Sequence, residues 1–190
     1  MSQPPRFSLC VFCGSAHGSD PRYADAAVAV GREIGSRGWR LVFGGGKVGL
    51  MGLLANAVLE AGGEVVGVIP RFLYEWEVGH DGLTRLEIVE TLAERKRRMG
   101  ELSDAYLSLP GGIGTLDELF EALSWTQLRL EDKPSGLLNV EGFFDGLVAA
   151  LDRATADGFI RPQHRELLSA GNEPSALLDL LFSRAVSRIR

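Results

Sequence analysis

Two glycine clusters, each directly after a short apolar run, are the residues of this chain best suited to chemistry: Phe43-Gly44-Gly45-Gly46-Lys47-Val48-Gly49 and Leu109-Pro110-Gly111-Gly112-Ile113-Gly114-Thr115. Glycine lets a backbone approach a ligand with no Cβ in the way. A helix starting at such a turn adds unpaired N–H groups and the positive end of its dipole, so both turns suit a phosphate. Cys13-Gly14-Ser15 closes the first apolar run in the same manner. In an open parallel sheet, ligands gather beyond the carboxyl ends of the strands, where all three turns would lie. A tight turn wants glycine in any case, so the reading rests on the three together.

The second cluster continues as Leu116-Asp117-Glu118. Thr115 and Glu118 stand in the S/T-x-x-E relation of a capping box, which would satisfy the first N–H groups of a helix. The same hydroxyl also suits a phosphate, and the same carboxylate could stabilise a cationic transition state or activate water. Spacing leaves both readings open. Upstream, Glu94-Arg95-Lys96-Arg97-Arg98 is either a solvated helix face or part of an anion site. Residues three apart share a helix face, which predicts that Arg95 and Arg98 point together while Lys96 and Arg97 diverge. The arginine fork matches phosphate or carboxylate in a bidentate way.

Several other chemistries fit poorly. Gly44, Gly46 and Gly49 match G-x-G-x-x-G, but the next strand runs into Pro70-Arg71 and offers no acidic residue for a ribose. Lys47 is followed by Val48 rather than Ser or Thr, so a Walker A loop fails. Cys10 and Cys13 lie on one predicted strand, where side chains three apart face opposite ways, so they read as core thiols. His17, His80 and His164 are far apart in sequence and read as surface or structural groups, and no metal or cofactor is expected.

The elements that must position these residues alternate. Apolar runs at Ser8 to Cys13, Leu41 to Phe43, Val65 to Ile69, Leu86 to Val89, Ala105 to Leu109 and Gly136 to Leu138 read as strands. Amphipathic stretches at Pro21 to Arg37, Val48 to Ala61, Leu92 to Ser103, Leu116 to Arg129, Phe143 to Asp157 and Pro174 to Arg188 read as helices. This predicts a Rossmann-like, doubly wound α/β fold: a mostly parallel sheet flanked by helices, in one domain spanning 1–190 with 1–6 as a flexible arm. Pro70 to Arg85, containing Trp76, Glu77 and His80, reads as a long irregular excursion of the kind that often carries function. A net charge of −5 gives no broad positive field for nucleic acid or an anionic membrane. No apolar run approaches the roughly 20 residues of a membrane span, and the start lacks a signal-peptide core, which predicts a cytoplasmic protein.

Over nearly its whole length the chain resembles the LONELY GUY family of cytokinin riboside 5′-monophosphate phosphoribohydrolases, members of which also carry the label lysine decarboxylase. The most specific shared motif is P-G-G-x-G-T-x-x-E, here Pro110 to Glu118, supported by Cys13-Gly14-Ser15, the Gly44 to Gly52 loop and Glu94-Arg95-Lys96. The resemblance implies hydrolysis of the N-glycosidic bond of a purine nucleoside 5′-monophosphate, AMP or an N6-prenylated derivative, to free base and ribose 5-phosphate. It implies Arg95 and Glu118 as the catalytic pair and Gly112, Ile113, Gly114 and Thr115 as the cradle for phosphate or ribose. Glu77, Lys96 and Ser124 match further nucleotide-binding positions, and Gly14, Ser15, Gly45, Gly46, Arg98 and Gly111 complete the expected substrate set. Ser124 stands where the family commonly has threonine, and Ile113 where many relatives have an aromatic. Pyridoxal chemistry would need a Schiff-base lysine, for which only Lys47, Lys96 and Lys133 are available. The family assembles as dimers or larger oligomers, and the bulk of Phe120, Leu123, Trp125 and Leu128 on one helix fits packing across a two-fold axis, so a homodimer is expected. The alternative to an enzyme is a non-catalytic nucleotide or cofactor carrier of the same fold.

Overall fold

The computed structural model describes residues 7–77, 79–80 and 82–188, so the expected N-terminal arm at 1–6 lies outside the described residues. Seven strands are formed: β1 (Ser8–Phe12), β2 (Arg40–Phe43), β3 (Glu64–Pro70), β4 (Arg85–Val89), β5 (Ala105–Ser108), β6 (Ser135–Leu138) and β7 (Leu168–Gly171). They build one sheet in the order β4-β3-β2-β1-β5-β6-β7, and every neighbouring pair is parallel. The helices are α1 (Pro21–Ser36), α2 (Gly49–Glu60), α3 (Arg71–Glu77), α4 (Leu92–Glu101), α5 (Ile113–Gln127), α6 (Asp145–Ala156), α7 (Pro162–Arg165) and α8 (Pro174–Arg188). No helix among the described residues is long and apolar enough to cross a membrane.

Strands covered on both faces must be apolar on both, and β1, with all five residues buried, shows why its sequence is a continuous apolar run rather than an alternation. Leu9, Val11, Leu41 and Phe43 pack with residues of α1, α2 and α8; Cys10, Phe12, Val42 and Tyr106 pack with Met99 of α4 and Ala122 of α5 on the opposite face. Cys10 and Cys13 accordingly belong to different clusters and are both free and buried, as the alternation of strand side chains requires.

The path of the chain places the site. From β1 it steps outward to β4, then returns to lay β5 on the other side of β1. This reversal opens a crevice at the carboxyl ends of β1 and β5, where the turns after both strands face each other.

Three features of the sheet's surroundings differ from the sequence expectation. Leu168–Gly171 forms a seventh, edge strand, and Arg71–Glu77 forms a helix inside the stretch read as irregular. α5 starts at Ile113, three residues earlier than expected, with Gly112 as its N-cap. Thr115 therefore sits inside the first turn and Glu118 in the second, and neither belongs to a capping box. The capping box lies instead on α4. Thr91 Oγ1 accepts from the Glu94 N–H at 3.1 Å, and the Glu94 carboxylate accepts from the Thr91 N–H at 3.3 Å. The other end of α4 is tied down by Lys133, whose ammonium donates to the Gly100 carbonyl at 2.7 Å and pairs with Glu131 at 2.8 Å. The Tyr106 hydroxyl, also on Glu131 at 2.6 Å, joins that anchor to β5.

Candidate active site

A cleft of about 210 Å³ opens at the β1/β5 reversal. Gly14, Ser15, Arg95, Gly112, Ile113, Gly114, Thr115 and Glu118 all border it. The turns are laced together by backbone bonds: the Gly14 N–H donates to the Pro110 carbonyl, and the Leu50 N–H to the Gly14 carbonyl, each at 3.1 Å. Gly111 closes the floor, where a Cβ would stand 2.8 Å from the Gly14 nitrogen and overlap the Thr115 hydroxyl. Gly112 and Gly114 are different. A Cβ on either would meet no protein atom within 4 Å, and neither has a left-handed φ, so nothing in the fold calls for glycine there. They border the cleft at the N-terminus of α5, where no side chain caps the helix. Open space, bare amides and a helix dipole together form a receptor for an anion.

Arg95 and Glu118 face each other across the inner wall, Nη1 to Oε1 at 3.4 Å, with side chains only 13% and 10% exposed. The rest of the guanidinium is fixed by backbone: Nε donates to the Val68 carbonyl and Nη2 to the Gly44 carbonyl, both at 3.1 Å. Burial, the largest influence, raises the Glu118 carboxyl above the ordinary carboxylate range. The Arg95 charge pulls it down, Asp117 and Glu121 push it up and Lys96 pulls it down, with the net still upward. A carboxyl so poised is nearer neutrality in its basicity than a free one, which suits a base toward water. Cys13 also borders the cleft, and burial raises its thiol so far that it stays protonated and unreactive.

Five of the expected substrate contacts do not border the cleft. Arg98 does not share the Arg95 face; its guanidinium pairs with Glu87 on β4 at 2.7 Å and Glu101 at 3.0 Å, because three residues advance a helix by only 300° and strand β4 captures the offset. Lys96 is held by Asp117 at 2.9 Å and Glu121 at 2.5 Å on α5, so its charge is already matched. Gly44, rather than Gly45 or Gly46, borders the cleft. The Gly45 carbonyl accepts from the His80 N–H at 3.2 Å, and Gly46 makes an antiparallel bridge with Gly79, so these two glycines hold Gly79 and His80. Ser124 is exposed on α5 and donates to the Phe120 carbonyl at 2.7 Å. The backbone of Glu77 ends α3, but its side chain lies outside the described residues.

The sequence reading missed Met51 and Leu73, which join Val11, Phe12 and Ile113 in the apolar part of the cleft wall. Leu73 was hidden because its segment did not read as a helix. Met51 carried a signal in its position just past the first glycine cluster. Among the described residues, no three of His, Cys, Asp or Glu converge as metal ligands would.

Comparison with known proteins bears on this arrangement. Residues 51–181 match a family model described as "Possible lysine decarboxylase". The chain is 45% identical over 168 residues to the cytokinin riboside 5′-monophosphate phosphoribohydrolase LOG1 of Arabidopsis thaliana, covering 88% of this chain and 78% of that one. It is 46% identical over 160 residues to LOG3 of the same plant, covering 84% and 74%. Among solved structures, the molybdenum cofactor binding protein of Rippkaea orientalis superposes with a TM-score of 0.73 at 22% identity, covering 95% of this chain and 98% of that one. The molybdenum cofactor carrier protein of Chlamydomonas reinhardtii gives 0.71 at 20%, covering 94% and 99%. At these identities the two structures establish a shared fold.

Proposed function

Because the chain belongs to the LONELY GUY family of cytokinin riboside 5′-monophosphate phosphoribohydrolases, we propose that its cleft hydrolyses the N-glycosidic bond of a purine nucleoside 5′-monophosphate, releasing base and ribose 5-phosphate. The observation that carries the proposal is the buried Arg95–Glu118 pair beside an uncapped helix N-terminus flanked by glycines that the fold does not require. The 5′-phosphate lies on the first amides of α5 with Thr115, and the ribose beside Glu118. As the C1′–N9 bond breaks, its electron pair leaves with the purine and positive charge grows on the ribose. The Glu118 carboxylate stabilises that charge and accepts a proton from the water whose oxygen bonds to C1′, while the departing purine takes up a proton in turn. Arg95 keeps Glu118 ionised and oriented.

Incubating the protein with AMP and with N6-isopentenyl-AMP, and separating the products chromatographically, tests this directly. Free base and ribose 5-phosphate are expected in equal amounts. The rate falls on the acid side as Glu118 takes up a proton, with a midpoint above that of an ordinary carboxyl. Tight nucleotide binding without base release would move the reading to a carrier, the other role this fold supports. A pyridoxal decarboxylase has less in its favour, since Lys96 is paired with Asp117 and Glu121, and Lys133 with Glu131 and the Gly100 carbonyl.

The functional unit is a homodimer in this reading. Ile113, Phe120, Ser124 and Leu128 recur at helical spacing, and all four are exposed, Ile113 by 83% and Leu128 by 66%. The stripe begins at the cleft rim and runs away from it; eleven residues separate Ser124 from Ile113, about 16 Å along a helix axis. Ser124 thus serves a nucleotide only in the cleft of a second copy. Phe120→Arg is expected to give a species of one chain mass in analytical ultracentrifugation where the parent gives two. An unchanged mass would remove this face from the interface.

A further inference from the structure

We infer that Gly44 is a positioning residue of the hydrolytic site, its missing side chain being the space in which the Arg95 guanidinium lies. The inference rests on the phosphoribohydrolase reading and assigns a cause to the orientation of its cationic partner. A Cβ at residue 44 would overlap Nη2 of Arg95, stand 2.9 Å from Cζ and touch the Met51 sulfur at 3.4 Å. Conformation does not call for glycine here: Gly45, its neighbour, has φ 77°, while Gly44 lies outside the left-handed region. What position 44 supplies is room, together with a carbonyl that accepts from Nη2 at 3.1 Å.

Arg95 has no easy retreat. Its helix is fixed at one end by the Thr91–Glu94 capping box and at the other by Lys133 on the Gly100 carbonyl. Its Nε is fixed on the Val68 carbonyl within β3. A methyl group at 44 must therefore turn the fork itself, moving Nη1 relative to Glu118. Glu118 then sits beside less positive charge, with Asp117 and Glu121 still near it and Lys96 as the remaining cation.

The test is a double-mutant cycle of Gly44→Ala and Arg95→Lys, read as base release from AMP, as the pH profile of that release, and as thermal unfolding. Lysine keeps the charge but lacks the Nη2 branch that the methyl would strike. In the parent background Gly44→Ala is expected to lower kcat about 10²-fold, the scale of an ångström's misplacement. Its acid limb should also move to higher pH. In the Arg95→Lys background the same substitution should change kcat less than about threefold. Equal fold losses in both backgrounds, or full activity and an unmoved acid limb for Gly44→Ala alone, would overturn the inference. A Gly44→Ala protein that folds only together with Arg95→Lys supports it, since the penalty is then traced to the guanidinium; failure to fold in both backgrounds counts against it. If the parent protein releases no base, the hydrolase reading fails separately. The unfolding arm, which needs no substrate, still decides the Gly44–Arg95 coupling by whether the loss in Tm vanishes with lysine at 95.

Discussion

Replacing Glu118 by Gln is expected to slow base release about 10²–10⁴-fold while leaving the protein at least as stable at neutral pH. The amide keeps the shape of the side chain and still sets an oxygen opposite Arg95, so the cleft keeps its form, but it can neither take a proton nor neutralise a developing cation. Stability follows from linkage. Burial raises the Glu118 pKa in the folded state above its unfolded value. The group's favourable contribution is therefore complete below the unfolded pKa and is lost as pH rises through the folded one. Gln does not titrate and escapes that loss. Thermal unfolding of both proteins across pH 4 to 8, alongside the rate assay, checks the pair of effects. A Gln variant that releases base at the parental rate would remove Glu118 from the chemistry.

Arg95→Ala is expected to match that loss of activity, about 10²–10³-fold, but with stability moving the other way. Removing the side chain leaves the Val68 and Gly44 carbonyls without their guanidinium donor and the Glu118 carboxylate without its counter-charge. Breaking a buried pair from one side costs about 3 kcal/mol or more at neutral pH. In acid, with Glu118 protonated, only the two carbonyl bonds remain lost, so the deficit narrows as pH falls. Denaturant melts at two pH values read this difference. Two residues 3.4 Å apart thus share a loss of rate and differ in the sign of their effect on stability. An Arg95→Ala protein as stable as the parent at neutral pH would mean that the guanidinium contributes nothing to holding the wall.

Five of the six expected strands were legible because buried parallel strands are apolar on both faces, while the edge strand β4, with no buried residue, was legible from its run Leu86 to Val89 alone. β7 was not, since of Leu168-Ser169-Ala170-Gly171 only Leu168 is buried and an edge strand needs no more. The start of α5 was misplaced for a related reason: its first turn holds Ile113, Gly114 and Thr115, two of them poor helix formers, and its N-cap is a glycine without a side-chain bond. That small shift removes the capping-box reading of Glu118, because a residue in the second turn cannot cap the first. Type and spacing brought Arg95 and Glu118 forward as candidates, and only the family resemblance joined them as a pair. The carbonyls of Gly44 and Val68 that orient Arg95 could not be picked out, because backbone acceptors carry no residue signature.

Leu9 pairs with Ala105 across the centre of the sheet, and the cleft sits at the far end of that pairing. Each wall of the site comes from a different stretch of chain, with the Gly44 loop made early in synthesis and the α5 turn about seventy residues later. Closing so long a loop costs entropy that is recovered only when β5 docks, so the receptor is absent until the α5 turn has been made. A nascent chain ending before α5 has no cleft for a nucleotide to occupy. Substrate can therefore act on the folding of this protein only after synthesis has passed Glu118, as a brake on unfolding rather than a guide to assembly.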